Sequence, residues 1–121
     1  MVWSCLVSIL PGMAQTEKLT DYVNPFVGTD GYGNVYPGAQ IPFGGIQISP
    51  DTDSRFYDAA SGYKYNHLTL MGFSLTHLSG TGIPDLGDFL FIPGTGEMKL
   101  EPGTHEDPDQ GYRSRYSHDK E

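Results

Sequence analysis

Cysteine is nearly absent from this chain of 121 residues, because Cys5 is the only one. A single cysteine excludes a disulfide framework and a cysteine-based zinc site within one chain. Basic residues are also scarce: Lys and Arg number 7 against 15 Asp and Glu, and the formal net charge is −8. Surfaces that bind a phosphate backbone or an anionic membrane need clustered Lys and Arg, so neither nucleic acid nor a membrane surface is an expected partner.

Long apolar runs are missing as well, and no run reaches the ~18 residues of a membrane-spanning helix. Residues 2–10 are mostly apolar, small residues follow up to Ala14, and residues 15–18 are polar. This pattern resembles the end of a secretory signal peptide. We therefore expect residues 1–14 to be a signal-peptide remnant and the protein to be exported, to the periplasm or the extracellular space. A buried N-terminal strand or helix is the alternative.

Glycine and proline are abundant, with 16 and 9 residues, and aromatic residues make up 12% of the chain. The aromatic content argues against a disordered linker, which lacks such anchors. Many short strands joined by tight turns fit this composition, and no segment shows sustained helical periodicity. The prediction for residues 15–121 is an all-β fold, an antiparallel β-sandwich that is only partly contained in this chain.

Alternating or compact apolar patterns predict strands at residues 45–49, 67–79, 88–92, 97–100 and 112–118. Pro50 is expected to end the first strand, and the strand at 88–92 is expected to be buried. The alternation in the second slips near Gly72, which predicts a β-bulge, with a short helix over 67–72 as the alternative. The sequence ends directly after the last pattern, so we expect it to stop inside a domain.

A glycine-rich loop spans residues 28–34, after an expected extended segment at 19–29. Glycine-rich loops hold phosphate when a helix start or a Gly-Lys-Ser/Thr motif follows, and neither follows here. The pattern favours a loop whose glycines adopt positive φ or allow another segment to approach closely.

Several acidic side chains lie in predicted loops. Calcium prefers several oxygen ligands, and the candidates are Asp51, Asp53, Asp58, Asp107 and Asp109. Their spacing does not complete an EF-hand loop. Capping of turns by these aspartates is the favoured interpretation.

A polar segment follows the second predicted strand, with His77, Ser79, Thr81 and Asp85 beside glycines. A serine triad is not indicated, because no Gly-x-Ser-x-Gly elbow is present. Sugar recognition and a satisfied polar turn, with His77 bonded to the backbone, are equally compatible with these residues. A separate aromatic cluster around Asp58 and Ser61-Gly62 favours packing over stacking on sugar, and its members are Phe56, Tyr57, Tyr63 and Tyr65.

An ordered set of motifs resembles the N-terminal part of the family 92 glycoside hydrolases, over about residues 20–121. The motifs are DYVNPFVGT at 21–29, YPGA at 36–39, PFG at 42–44, QISPDT at 47–52, SGY at 61–63, GFS at 72–74, HLSGTG at 77–82, DLGD at 85–88 and GYRSRYSH at 111–118. The family consists of calcium-dependent exo-acting α-mannosidases. The resemblance implies two domains, a β-sandwich followed by an (α/α)-barrel, and the barrel is expected to be absent from this chain.

In this family cleavage inverts the anomeric centre, so an acid and a base stand about 6.5–9.5 Å apart. Calcium holds the mannose 2- and 3-hydroxyls in the full-length family enzyme. The resemblance places these catalytic and metal-binding groups mainly in the C-terminal domain. We therefore assign no catalytic residue and no metal ligand to this chain, and we do not expect the chain alone to bind Ca²⁺.

The resemblance does imply a contribution to the substrate pocket, at the interface with the C-terminal catalytic domain. The implied substrate-binding residues are Tyr57, Asp58, His77, Ser79, Gly80, Thr81, Gly82 and Asp85. Tyr57-Asp58 stands where the family often has Trp-Asp, so the aromatic surface near the leaving-group sugar is smaller here.

Three functions remain open from the sequence. The first is the N-terminal part of an exported α-mannosidase that trims mannose-containing glycans and is inactive without its C-terminal domain. The second is a stand-alone secreted carbohydrate-binding β-domain without catalysis. The third is a structural or adhesin-like domain. Folding separates the first two, because a binding module closes its own core whereas a partial sandwich leaves strand edges and apolar faces exposed.

Overall fold

A computed structural model describes residues 17–53, 57–80, 83–84 and 87–119. The predicted signal segment at 1–14 lies outside these residues. The described part contains five short strands: β1 (Ser49–Asp51), β2 (Thr69–Leu70), β3 (Gly72–Ser74), β4 (Leu90–Phe91) and β5 (Ser114–Arg115). Three 3-10 helices accompany them: η1 (Leu19–Tyr22), η2 (Tyr57–Ala59) and η3 (Pro108–Gln110).

The strands form two antiparallel sheets. One sheet has the order β1-β3-β4, and the other pairs β2 with β5. Pro50 lies opposite Phe73, which in turn lies opposite Phe91. The all-β prediction is confirmed, and within the described residues no helix is long and apolar enough to cross a membrane.

The chain changes sheets at Met71, between β2 and β3. Met71 N donates a 2.7 Å hydrogen bond to Asp51 O, so this residue already turns toward β1. Gly72 has φ +155°, and a Cβ there would lie 2.7 Å from Phe91 O on β4. At the predicted β-bulge the chain instead passes from the β2-β5 sheet to the β1-β3-β4 sheet. The alternative of a helix over 67–72 is wrong.

Proline does not end the first strand as expected. The strand spans Ser49–Asp51 instead of 45–49, so it runs through Pro50. Because β1 is an edge strand, Pro50 has no need to donate a ladder hydrogen bond on its outer side.

Three other strand predictions were too long or wrong. The segment 112–118 retains only β5, and 97–100 contains no strand. The segment 88–92 retains only β4, and it is not buried, since Phe91 is 58% exposed. Only the residues that pair with a neighbouring strand, β3 for β4 and β2 for β5, form a strand in these segments.

The N-terminal described segment also departs from prediction. Residues 19–22 form the 3-10 helix η1 instead of extended chain. Val23, Phe26 and Val27 were expected to be the apolar anchors of this segment. Val23 and Val27 are about 70% exposed, and only Phe26 packs, against Tyr63 and Tyr65.

The interior of the described part is mostly polar. Its buried apolar residues are Ala59, Ala60 and Tyr63, whereas twenty large apolar side chains are exposed. The largest fully buried side chains include Thr52, Asp53, Ser49, Ser61 and Ser74. Hydrogen bonds and buried charges, rather than an apolar core, therefore connect the described segments.

Candidate functional site

Asn34 brings together two of the segments that contain predicted site residues. Its side-chain Oδ1 accepts a 3.1 Å hydrogen bond from Ala60 N, directly after η2. Its main-chain oxygen accepts a 2.6 Å bond from Gly80 N. The backbone of Asn34 has φ +49°, a left-handed conformation that asparagine tolerates better than most residues. Segments 57–60 and 76–80 thus meet at one residue.

Sequence reasoning missed Asn34 as a site residue, although it noted the glycine-rich loop that ends there. In that loop Val35 N donates to Gly28 O at 3.2 Å. A Cβ on Gly33 would lie 2.2 Å from the same Gly28 oxygen, and Gly28 and Gly31 have positive φ. The interpretation of close approach and positive φ is confirmed.

The loop does not resemble a phosphate-binding loop in its surroundings. Residues 35–40 are extended or irregular, and no helix begins there. The loop instead closes on itself and places Asn34 within hydrogen-bonding distance of the Ala60 and Gly80 amides.

Tyr57 and Asp58 lie on η2, beside the junction at Asn34 where segments 57–60 and 76–80 meet. Tyr57 is 53% exposed, so about half of its surface is in contact with solvent. Lys64 Nζ bonds Asp58 Oδ2, and this hydrogen bond lowers the pKa of Asp58 below its ordinary value. Asp58 is therefore an ionised acceptor whose direction is set by a mostly buried lysine.

His77 is buried, and both of its ring nitrogens are engaged. Nδ1 lies 2.6 Å from Gln47 O, and Nε2 lies 3.0 Å from both Asp51 Oδ1 and Ser74 Oγ. His77 is thus bonded to the backbone, as the polar-turn alternative predicted. Burial lowers the pKa of His77, but the hydrogen bond and charge of Asp51 and the Gln47 carbonyl outweigh it, so its pKa is raised above 6.5.

Ser79 and Gly80 are exposed at the end of the same segment. Gly80 has φ +103° and open space where a Cβ would be. His77 contacts Ser74 rather than Ser79, so a triad of His77 with Ser79 is not assembled. The remaining predicted residues, Thr81, Gly82 and Asp85, lie outside the described residues.

The buried aspartates do not fit a calcium site. Asp51 accepts from His77 and from Ser74 N, and Asp53 faces His105 and Arg113. Calcium requires about six to eight oxygen ligands, whereas these carboxylates are surrounded by nitrogen donors. Across the described ranges no group of three or more His, Cys, Asp or Glu is arranged to hold a metal ion. No step of a reaction is assigned to calcium at these residues.

The predicted aromatic cluster divides between two places. Tyr63 and Tyr65 line a cavity of about 380 Å³ together with Phe26, Tyr116 and His118. The Tyr65 and His118 rings stack at 4.2 Å, and burial followed by a hydrogen bond with Tyr116 raises the pKa of Tyr63. Tyr57 is not part of this cavity lining, and Phe56 lies outside the described residues. Packing therefore accounts for Tyr63 and Tyr65.

Two comparisons with known proteins indicate the family of the chain. The family described as "Glycosyl hydrolase family 92 N-terminal domain" matches residues 22–121. A curated "Uncharacterized secreted glycosidase" of Arthroderma benhamiae is 36% identical over 73 residues, which are 60% of this chain and 9% of that protein. The chain thus matches only a small part of that relative's length.

Proposed function

Because the chain belongs to glycosyl hydrolase family 92 through its N-terminal domain, we propose that it is part of an exported, inverting exo-α-mannosidase. The observation that carries the proposal is the family match over residues 22–121. Its proposed role is to supply one wall of the pocket for terminal mannose, opposite a C-terminal catalytic domain. The acid, the base and the calcium ligands are proposed to belong to that domain. Export is proposed on the signal-like residues 1–14 and on the secreted relative.

The junction at Asn34 supports this role. It gathers an exposed tyrosine, an oriented carboxylate and the exposed Ser79-Gly80 backbone within two neighbouring segments. Sugar hydroxyls need paired donors and acceptors, and an aromatic face packs on the apolar side of a sugar ring. Tyr57 is proposed to contact the leaving-group sugar, and Asp58 and Ser79 to bind its hydroxyls. Thr81, Gly82 and Asp85 are proposed to extend the same wall of the pocket. His77 is proposed to hold this segment in position from the protein interior.

The stand-alone binding domain is the weaker alternative. Twenty large apolar side chains are exposed, and the buried apolar residues in the described part are only three. A free binding module of this size needs a closed apolar core. Exposed apolar faces fit a domain that packs against more protein.

The test is an assay of the complete reading frame that contains this chain. The enzyme is expected to release mannose from α-linked mannobiosides, to lose activity with a calcium chelator and to regain it with Ca²⁺. The first sugar product is expected to be the β-anomer, which proton NMR detects before mutarotation. Hydrolysis of a different glycoside, with none of α-mannosides, would contradict the proposal.

Tyr57 provides a residue-level test in the same enzyme. Replacing Tyr57 by Ala removes an aromatic contact of about 1 kcal/mol, so kcat/KM for a mannobioside should fall about fivefold. An aryl mannoside with a different leaving group should be affected less. Tyr22→Ala is the matched control, because Tyr22 is also exposed, at 69%, but lies on η1. Equal losses in the two variants would refute a role for Tyr57 at the leaving-group sugar.

A further inference from the structure

The imidazole of His77 lies between two acceptors that cannot donate a proton to it. Gln47 O lies 2.6 Å from Nδ1, and the carboxylate oxygen of Asp51 lies 3.0 Å from Nε2. A carbonyl oxygen and an ionised carboxylate only accept hydrogen bonds. A neutral ring has one N–H and would leave one of these contacts as a repulsion between lone pairs. Both contacts are satisfied only when both nitrogens carry a proton.

We propose that His77 is a positioning residue, held as a doubly protonated imidazolium by Asp51 and Gln47, and that this charge fixes the 76–80 segment against Asn34. The segment is anchored at one end by His77 and at the other by the Gly80 N–H on the Asn34 oxygen. Because Gly80 follows His77 by three residues, movement of the imidazolium is transmitted to the exposed Ser79-Gly80 backbone.

The surroundings of the ring are built for a cation. The Tyr36 ring packs on the imidazole with centroids 5.0 Å apart, and an aromatic face attracts a positive charge. Asp51 and Tyr36 are the titratable groups facing the ring, from β1 and from the segment after the glycine-rich loop. The β3 neighbour is the neutral Ser74 hydroxyl, and Gln47 also presents its side-chain oxygen, 3.3 Å from His77 N.

Asp51 is itself held in place from several sides. Its Oδ2 accepts from Ser74 N at 2.7 Å, so the carboxylate cannot rotate freely away from the ring. A Cβ on Gly62 would lie 2.3 Å from Asp51 Oδ1 and 3.2 Å from His77 Cδ2. Only glycine therefore allows the 57–62 segment to pass this close to the pair. The ion pair lies where β1, β3 and both segments of the candidate site meet.

This inference concerns the same site as the proposed function, but only its effect on turnover rests on that function. The protonation state and the position of the Gly80 N–H are measurable without a glycan. Failure of α-mannosidase activity would leave the imidazolium untouched, and a neutral His77 would leave the family assignment untouched.

The first experiment is ¹⁵N NMR of the full chain over a pH series, with labelled histidine. The two ring nitrogens of an imidazolium have similar shifts, whereas those of a neutral tautomer are widely separated. We expect His77 to be an imidazolium at pH 6 and to titrate above 6.5, and the Gly80 amide shift to follow the same midpoint. A neutral ring at pH 6 overturns the proposal. A collapsed amide spectrum at pH 6 also overturns it, since the pair is expected to be intact there.

Two variants test the cause. Asp51→Asn keeps the shape but removes the charge, so His77 should titrate at or below 6.5 and the Gly80 amide should shift. Ser74→Ala is the matched control, because it removes a neutral contact to Nε2 and leaves both acceptors. If Asp51→Asn does not fold, Tyr36→Leu replaces it and should lower the titration midpoint by less. An unchanged titration midpoint of His77 in Asp51→Asn contradicts the positioning role. An unchanged chemical shift of the Gly80 amide in that variant contradicts it as well.

Discussion

Replacing Gly62 by alanine should disrupt the structure at the Asp51–His77 pair. Gly62 has φ +90°, which L-residues rarely adopt, and forcing a side chain into such a conformation costs about 1–3 kcal/mol. The new Cβ would also lie 2.3 Å from Asp51 Oδ1. Asp51 must move, and each charge-assisted hydrogen bond lost with it costs about 1.5–3 kcal/mol. With one such bond lost, the free energy of unfolding should therefore fall by about 2.5–6 kcal/mol.

Gly80→Ala separates backbone strain from the clash. Gly80 has φ +103°, but nothing lies within 4 Å of its ideal Cβ. This variant should lose only the strain contribution, about 1–3 kcal/mol. Urea denaturation of both variants and the wild type at pH 6 measures the difference, and the His77 titration should be altered only in Gly62→Ala. Equal destabilisation by the two alanines would refute the argument that Gly62 makes room for the Asp51 carboxylate.

Two further predictions concern buried charge. Because the pKa of His77 is raised, its contribution to stability is complete below about pH 6.5 and is lost as the pH rises through the folded-state pKa. Urea unfolding measured from pH 5.5 to 9 should show this loss of stability. The variant His77→Gln should remove this pH dependence. Arg113→Met should lower the free energy of unfolding by about 3–5 kcal/mol, because Asp53 loses a fully buried cation 3.8 Å away. Arg115→Met is the matched control in the same urea assay and should change little, since its ion pair with Asp109 is exposed; similar losses in both variants would contradict the buried network.

Local composition predicted the class of fold and the behaviour of one loop. Glycine, proline and aromatic content indicated short strands and turns, and the glycine-rich loop at 28–34 adopts the positive φ and close approach expected of it. These features depend on the conformational range of single residues. They are therefore readable from the sequence.

Features that depend on distant partners were not predictable in this way. The alternation at 67–79 gave no sign that Met71 turns toward Asp51 and divides the run between two sheets. Arg113 lies in the predicted strand 112–118, yet its side chain is buried and donates to the Thr52 carbonyl, 61 residues away. Asn34 joins segments 26 and 46 residues further along the chain. No local pattern marks such pairings, because their benefit appears only when both partners are folded.

The segments of the candidate site were named from motifs rather than from chemistry. Sequence reasoning identified the segments 57–58 and 77–82 but not the residue that joins them. It also left two roles open for His77, which is buried with its ring nitrogens hydrogen-bonded to Gln47 O and Asp51 Oδ1. That these segments bind sugar stays a prediction.

The polar interior described above has a consequence for how the protein responds to temperature. Hydration of apolar surface raises the heat capacity of the unfolded state, whereas hydration of polar surface lowers it. Unfolding of this part exposes serine, threonine, aspartate and arginine, while many apolar side chains are already in water. Its heat-capacity increment per residue should lie below the usual ~12–15 cal/mol/K. Its stability should consequently vary little with temperature, with no pronounced maximum and with cold denaturation displaced far below the freezing point of water.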